Sequence, residues 1–545
     1  MTKKQQSAVT ILSILIMLLL LLVSRRIWFR GDLTANNAYT LSPVSRNLYN
    51  EIDEEIRITY FLSGKLLSVD PAPSEITDLL REYEARSRGK IRVVVRDPGG
   101  DIQEVERYGL VPQQFQDVKQ DEASFSMVYS GIVIEYLDKS EVLTWVFSLD
   151  TLEYDITSRI RSLVRGKRRE LGVIACEPQK DWNEYYGYFN QALLESGYSV
   201  LPLSPGEEIP DTLPVLFVFG GVEELDEYSL YRIDRYIQLG GRVLFAVESV
   251  DMDFFSTWEA RLKKDEGLLS MISYYGATVG QSLVLDRAAL PVPYQDPVSR
   301  QILQIPYAPW VAVLEHQGNK DHVLTSKFGG LDLFWASPLT LTLPDPGTTG
   351  ELTGEALFTS TPRAWLMTKD FTLRPEQHDL FDAEADISEG EKILALTLEG
   401  RFPSWFADVE KPRRQTGETE DEPWTALPEE LPDMPVETKE SRIVVVGDAD
   451  IGGALVTYTQ RQQRLNFDFL LQVADWLGND DDIVGIRNRH SGSGRLDRIT
   501  DELKREGTML FSRLLNVFIL PLCIIITGAY RIFKRKNKKE QSHAL

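Results

Sequence analysis

Two aspartates, Asp448 and Asp450, end the apolar run Ile443 to Val446 in Gly447-Asp448-Ala449-Asp450. Carboxylates in that place sit where open α/β sheets bind ligands, at the carboxyl ends of the strands, so the pair is a candidate ligand or metal site. Capping of the following turn is the plainer use of aspartate there. Cys176 also follows an apolar strand, in Ile174-Ala175-Cys176-Glu177-Pro178. A nucleophilic cysteine needs a tight strand-to-helix elbow, a histidine and a carboxylate. Cys176 has no flanking glycine, follows the first strand of its series, and has no histidine tied to it by spacing. A structural strand-end cysteine is the competing reading. Asp480, Asp481 and Asp482 follow a helix end and read as a solvated loop, because the spacing of a calcium loop is missing. Trp182, Tyr185, Tyr186 and Tyr188 read either as a binding surface or as core and interface packing at helical spacing. The five histidines form no His-x-x-x-His pair, and the lone Cys176 and Cys523 build neither a zinc site nor a disulfide framework. Nothing here asks for a cofactor, and no catalytic or metal residue is assigned.

These residues need elements to position them. Residues 31–165 alternate as βαβαββα, the thioredoxin-like order, with strands at 56–62, 91–97, 126–136 and 141–147 and a Ser42-Pro43 helix start at their head. A redox thioredoxin carries Cys-x-x-Cys after its first strand, whereas this chain reads LSGKLLS, and residues 1–165 hold no cysteine. A scaffold or binding platform remains. Residues 166–484 form a second α/β series. The continuous apolar strand LPVLFVFG and the helix DEYSLYRIDRYIQL closed by Gly240-Gly241 predict a parallel, doubly wound sheet. Residues 408–440, rich in proline and acid, read as an exposed, mobile insertion, and 485–508 as a linker.

Charge sorts by location. The chain has 59 basic and 82 acidic residues in 545, a net charge of −23, which disfavours a nucleic-acid partner. Residues 31–530 alone carry −33, and the bases concentrate at the two ends beside the two most apolar runs. Residues 8–23 carry no charge and, with flanking Ser7, Ser24, Arg25 and Arg26, suit a membrane span within a segment 1–30. A cleaved signal peptide competes, but no small-x-small cleavage site follows. The run 514–530, within 509–531, precedes the basic tail 532–545. Basic tails stay in the cytoplasm, so two spans put both termini inside and the bulk of the chain outside, in the periplasm of a bacterial inner membrane.

DLTANNAYTLS, EYEARSRGKIRVVVRDP, VFGGVEELDEYSLYRIDRYIQLGGRVLF, YYGATVGQSLVLD, ALTLEGRFPSWF, IVVVGDADI, NFDFLLQVADWLG, IVGIRNRH and LNVFILPL occur in this order over nearly the whole chain. Together they resemble the auxiliary component of ABC-type transport systems typified by the gliding-motility protein GldG. The resemblance implies an α/β fold with a class I amidotransferase-like domain after the thioredoxin-like one, flanked by two transmembrane helices. It also implies an ABC permease and a separate ATPase as partners, since no G-x-x-x-x-G-K-[ST] occurs here. It singles out Glu399 and Arg401, in a family motif, as candidate ligand or interface positions. The leading expectation is a non-catalytic auxiliary subunit that binds a partner or substrate. A membrane-tethered amidase or hydrolase and an envelope or motility scaffold are the alternatives, and homo- or hetero-oligomerisation stays open.

Overall fold

The computed structural model describes residues 41–478, apart from 101, 120–121, 150, 167–168, 255–256, 296–298, 327–328, 344–351, 372, 378–388, 408, 413–430 and 460–463. Both expected membrane spans, the basic tails and Asp480 to Asp482 lie outside the described residues. Among the described residues no helix is long and apolar enough to cross a membrane.

The first lobe begins with α1 (Pro43–Asn47), capped as its sequence predicts, with Ser45 N donating to Ser42 Oγ at 3.1 Å. There follow β1 (Ile56–Leu62), α2 (Ala72–Arg86), β2 (Ile91–Arg96), α3 (Ile102–Arg107), β3 (Gln113–Lys119), β4 (Glu122–Val128), β5 (Ser130–Tyr136), β6 (Lys139–Leu143) and α4 (Leu152–Arg165). The sheet order is β2-β1-β5-β6, with β1 and β2 parallel and the rest antiparallel. The hairpin β3–β4 stands apart from this sheet. Residues 126–136, expected as one strand, divide at Tyr129 between that hairpin and the sheet. Val128, Ser130, Ile132 and Ile134 are all buried, so the period-2 pattern runs through the break without registering it.

The second lobe opens with β7 (Arg169–Ala175), α5 (Gly187–Glu195), β8 (Tyr198–Pro202), β9 (Val215–Phe219), α6 (Glu227–Gln238) and β10 (Arg242–Ala246). The hairpin β11 (Val250–Met252) and β12 (Ala260–Leu262), then α7 (Leu268–Tyr275), lead to β13 (Ala277–Val279) and β14 (Leu283–Leu285). The chain continues through β15 (Ala289–Gln295), β16 (Ile302–Leu314), β17 (Gly330–Phe334), β18 (Leu339–Leu341), β19 (Thr353–Thr359), β20 (Trp365–Met367), β21 (Ile393–Gly400), β22 (Ser441–Val446) and α8 (Arg464–Leu477). The main sheet runs β13-β18-β21-β22-β10-β9-β7-β8, with β19 also on β21. β8, β7, β9, β10 and β22 pair in parallel, whereas every pairing among β22, β21, β18, β13 and β19 is antiparallel. The expected all-parallel sheet therefore holds for half its width. Helical crossovers, which parallel pairs need, are confined to that half.

Alternate residues of the parallel strands enter two cores. Val173, Phe217, Leu244 and Val444 pack under α5 and α8. Ile174, Leu216, Val243 and Ile443 pack under α6 and α7. The first lobe keeps a core of its own between Leu41 and Leu163. The lobes meet through polar groups: Asp475 of α8 accepts from Tyr198 OH at 2.5 Å and Tyr154 OH at 3.2 Å and is ion-paired to Arg169. Most of the expected insertion 408–440 lies outside the described residues, but its far flank is described. Leu431 is buried, and Tyr231 OH donates to Pro432 O at 2.9 Å, so the far flank lies along α6.

Candidate functional site

Because β7, β9, β10 and β22 run side by side and parallel, the loops that follow them gather at one edge. β8 and β9 flank β7 on opposite sides, which places a topological switch point at the end of β7. Glu177 and Lys180 come from the loop after β7, Gly220 and Gly221 follow β9, Glu248 follows β10, and Asp448 and Asp450 follow β22. Lys263 arrives from the hairpin β11–β12.

Lys180 Nζ lies 2.8 Å from Asp450 Oδ1, 3.0 Å from Glu177 Oε2 and 3.4 Å from Glu248 Oε1. Lys263 Nζ lies 2.6 Å from the same Glu248 oxygen and pairs with Glu177 Oε1. Glu248 Oε2 accepts from Ala449 N at 2.5 Å, and Tyr185 OH donates to Asp450 Oδ1 at 2.9 Å. Two lysines and three carboxylates thus form one closed, buried network. Trp182 and Tyr186 stack near Phe219 beneath it. Gly220 has φ +65°, and a Cβ there would lie 2.3 Å from Glu177 Oε1. Glycine is what lets the end of β9 come this close.

Burial disfavours charge on both lysines, yet the carboxylates around them raise their pKa values; Lys180 stands well above its ordinary value. Burial alone would raise Glu177, but Lys180 and Lys263 bring it down to about 2. Both lysines and Glu177 are therefore ionised at neutral pH. A permanently charged lysine is neither a general base nor an amine nucleophile. Burial raises Asp448 well above its ordinary value, with Asp450 adding to it, and burial raises Asp450 despite Lys180. The Cys176 thiol is pushed up to about 12 by burial and by the charges of Glu224 and Glu177. Nucleophilic cysteines are shifted the other way.

The four sequence candidates part company. Asp450 joins the network. Asp448 lies beneath it and does capping work: Oδ1 accepts from Asp450 N and Oδ2 from Phe334 N, each at 2.7 Å. Glu399 pairs with Arg442 at 2.9 Å, and its strand β21 runs opposite to β22, so Glu399 and the adjoining Arg401 sit at the far edge of the sheet from Asp448. Their motif works through other residues. Ser404 Oγ and Phe406 N donate to Asp234 of α6 at 2.7 and 3.2 Å, Tyr275 OH donates at 2.7 Å, and Phe402 packs edge-on to Tyr275. Trp182, Tyr185 and Tyr186 are buried, with the hydroxyls of Tyr185 and Tyr186 donating to Asp450 and to Ala449 O, while Tyr188 is exposed. Glu248 was legible by the argument that found Asp448, since it too follows an apolar strand. Lys180 and Lys263 lie in loops with no pattern to mark them. Among the described residues no group of three or more His, Cys, Asp or Glu is placed to hold a metal.

A family model described as ABC-type uncharacterized transport system, auxiliary component, matches residues 168–484, more than half of the chain. The chain belongs to this family. Within it the network spans residues 177–450 and so lies wholly inside the matched region. Residues 35–135 match a second family, a domain of unknown function, DUF7088. An uncharacterized protein of Borreliella burgdorferi is 24% identical over 517 residues, covering 94% of each chain. A crystal structure of a putative ThuA-like protein from Parabacteroides merdae aligns at 13% identity, over 42% of this chain and 75% of that one, with a TM-score of 0.22. That likeness is too slight to bear on the fold.

Proposed function

We propose that this ABC-transport auxiliary chain is a non-catalytic, membrane-anchored subunit. It binds a partner or substrate of its transporter through extracytoplasmic lobes. One observation carries the reading. The crevice where an open α/β sheet takes its ligand is filled by the chain's own Lys180, Lys263, Glu177, Glu248 and Asp450. The protonated Cys176 thiol supports the same reading against an amidase. The family match supports association with an ABC system. Its permease, its separate ATPase, the inner-membrane location and the kinship to GldG are part of the proposal. So are a thioredoxin-like first lobe, supported by the order β2-β1-β5-β6, and an amidotransferase-like second lobe. Complementation of a deletion strain tests the non-catalytic claim. Cys176→Ser is expected to restore the wild-type phenotype fully, and loss of the phenotype with normal protein levels would favour the amidase.

A further inference from the structure

β15 and β16 form a ribbon whose inner half belongs to a core and whose outer half does not. Leu290, Val292 and Tyr307 are buried, whereas Ile302 is 72% exposed, Leu303 is 41% exposed, and Pro293, Gln295 and Gln304 are exposed. The two strands, residues 289–295 and 302–314, carry no charged residue in a chain of net charge −23. Natural sheets blunt an exposed edge with charge or with proline. This ribbon uses proline, and on one edge only.

The register sets Pro291 opposite Pro306, Pro293 opposite Gln304 and Gln295 opposite Ile302. Proline has no N–H, so the ladder bonds run between the alternate pairs, Leu290 with Tyr307, Val292 with Ile305 and Tyr294 with Leu303. The backbone groups of residues 291, 293, 302, 304 and 306 therefore point outward. On the β15 edge, Pro291 and Pro293 leave two successive outward positions without a donor, which blocks a further strand. On the β16 edge, Ile302 and Gln304 each present one N–H and one C=O. β17 pairs with β16 only from Trp310 onward. Among the described residues no hydrogen bond reaches the outward backbone of Ile302 or Gln304.

We infer that this edge pairs with the same edge of a second copy of the chain. Antiparallel pairing about a two-fold axis at Leu303 sets Ile302 of each copy opposite Gln304 of the other. Every outward N–H and C=O of these two residues then finds a partner. Leu303 meets its own counterpart in a non-hydrogen-bonded pair, with Cα atoms about 4.5 Å apart. Pro306 limits the donor-bearing ladder to these two positions, a length that suits two short edges meeting symmetrically rather than a long foreign strand. No charge on the strands opposes the approach of two acidic chains. The resulting ribbon, β15-β16-β16-β15, ends in the proline-bearing β15 on both sides, so growth stops at two copies. The contact is small and belongs to the weak class of association.

The test is disulfide trapping of the full chain with Cys176→Ser and Cys523→Ser, purified in mild detergent and oxidised at fixed concentration. The chain carries either Leu303→Cys or, for comparison, Gln295→Cys on the exposed far edge. Across the two-fold axis the Leu303 positions meet the spacing a disulfide needs, whereas the Gln295 positions lie three strand spacings apart, about 14 Å. Trapped dimer from Leu303→Cys is expected to exceed that from Gln295→Cys by about tenfold. Adding Gln304→Pro to Leu303→Cys removes an outward N–H and no bond within the ribbon. It is expected to bring trapping down to the Gln295→Cys level with unchanged thermal unfolding. Equal trapping at the two positions, or trapping that survives Gln304→Pro, overturns the proposal. The comparison of the two cysteine variants stands whether or not the proline variant folds.

Discussion

At the residue scale the network is held by mutual neutralisation. Removing one partner of a buried ion pair leaves an uncompensated charge, which costs about 3–5 kcal/mol. Lys263→Met, which leaves Lys180 as the remaining cation for Glu177 and Glu248, is expected to lower unfolding free energy by about 3 kcal/mol in denaturant titration. The pH dependence has a definite sign. Glu177 is depressed to about 2 in the fold, against an unfolded carboxylate near 4.5. Its contribution is thus fully present above pH 4.5 and is lost as pH falls towards 2. In Lys263→Met the acid-induced loss between those limits is expected to shrink, and an unchanged slope would remove Lys263 from the account. Gly220→Ala puts a Cβ against the Glu177 carboxyl at a left-handed φ, and is expected to cost about 2 kcal/mol or more. Asp450 was legible because strand-end carboxylates in parallel sheets have a physical meaning. The cations opposite it were not, because a lysine in a loop carries no periodicity and its partner is 270 residues away in sequence for Lys180.

At the element scale, apolar runs and turn residues located most strands and helices but not the pairing of the later ones. The direction of β21 against β22 is set by the connection between them, whose composition says little. That single reversal is what separates Glu399 and Arg401 from Asp448 and Asp450. The motif around them became intelligible only through Asp234, a buried carboxylate with donors from α6, α7 and the segment after β21. Asp234→Ala leaves these donors without their acceptor. At about 1–3 kcal/mol for each unsatisfied group, a loss of about 3 kcal/mol in stability is expected. Hydrogen exchange at the Phe406 amide should accelerate more than exchange in the strands β7 and β9; uniform acceleration would show that the latch is not local.

At the scale of the whole molecule, two apolar cores are joined by polar contacts through Asp475, Arg169, Tyr154 and Tyr198. No local pattern predicts this junction, because its members come from four elements and both lobes. Asp475→Ala removes the counter-charge of Arg169 and the acceptor of both tyrosine hydroxyls, and faster limited proteolysis between the lobes is expected, with both cores still folded. Unchanged cleavage would show that the lobes are held by other contacts. The net charge, by contrast, was legible at once: residues 31–530 carry −33 and the bases gather at both ends. The central claim, a non-catalytic subunit of an ABC transporter, is tested most directly by affinity purification of the tagged full chain from native membranes, with its partners identified by mass spectrometry. The account predicts that an ABC permease and a separate ATPase co-purify, equally well with wild type and with Cys176→Ser. Recovery of the chain without either subunit would contradict it.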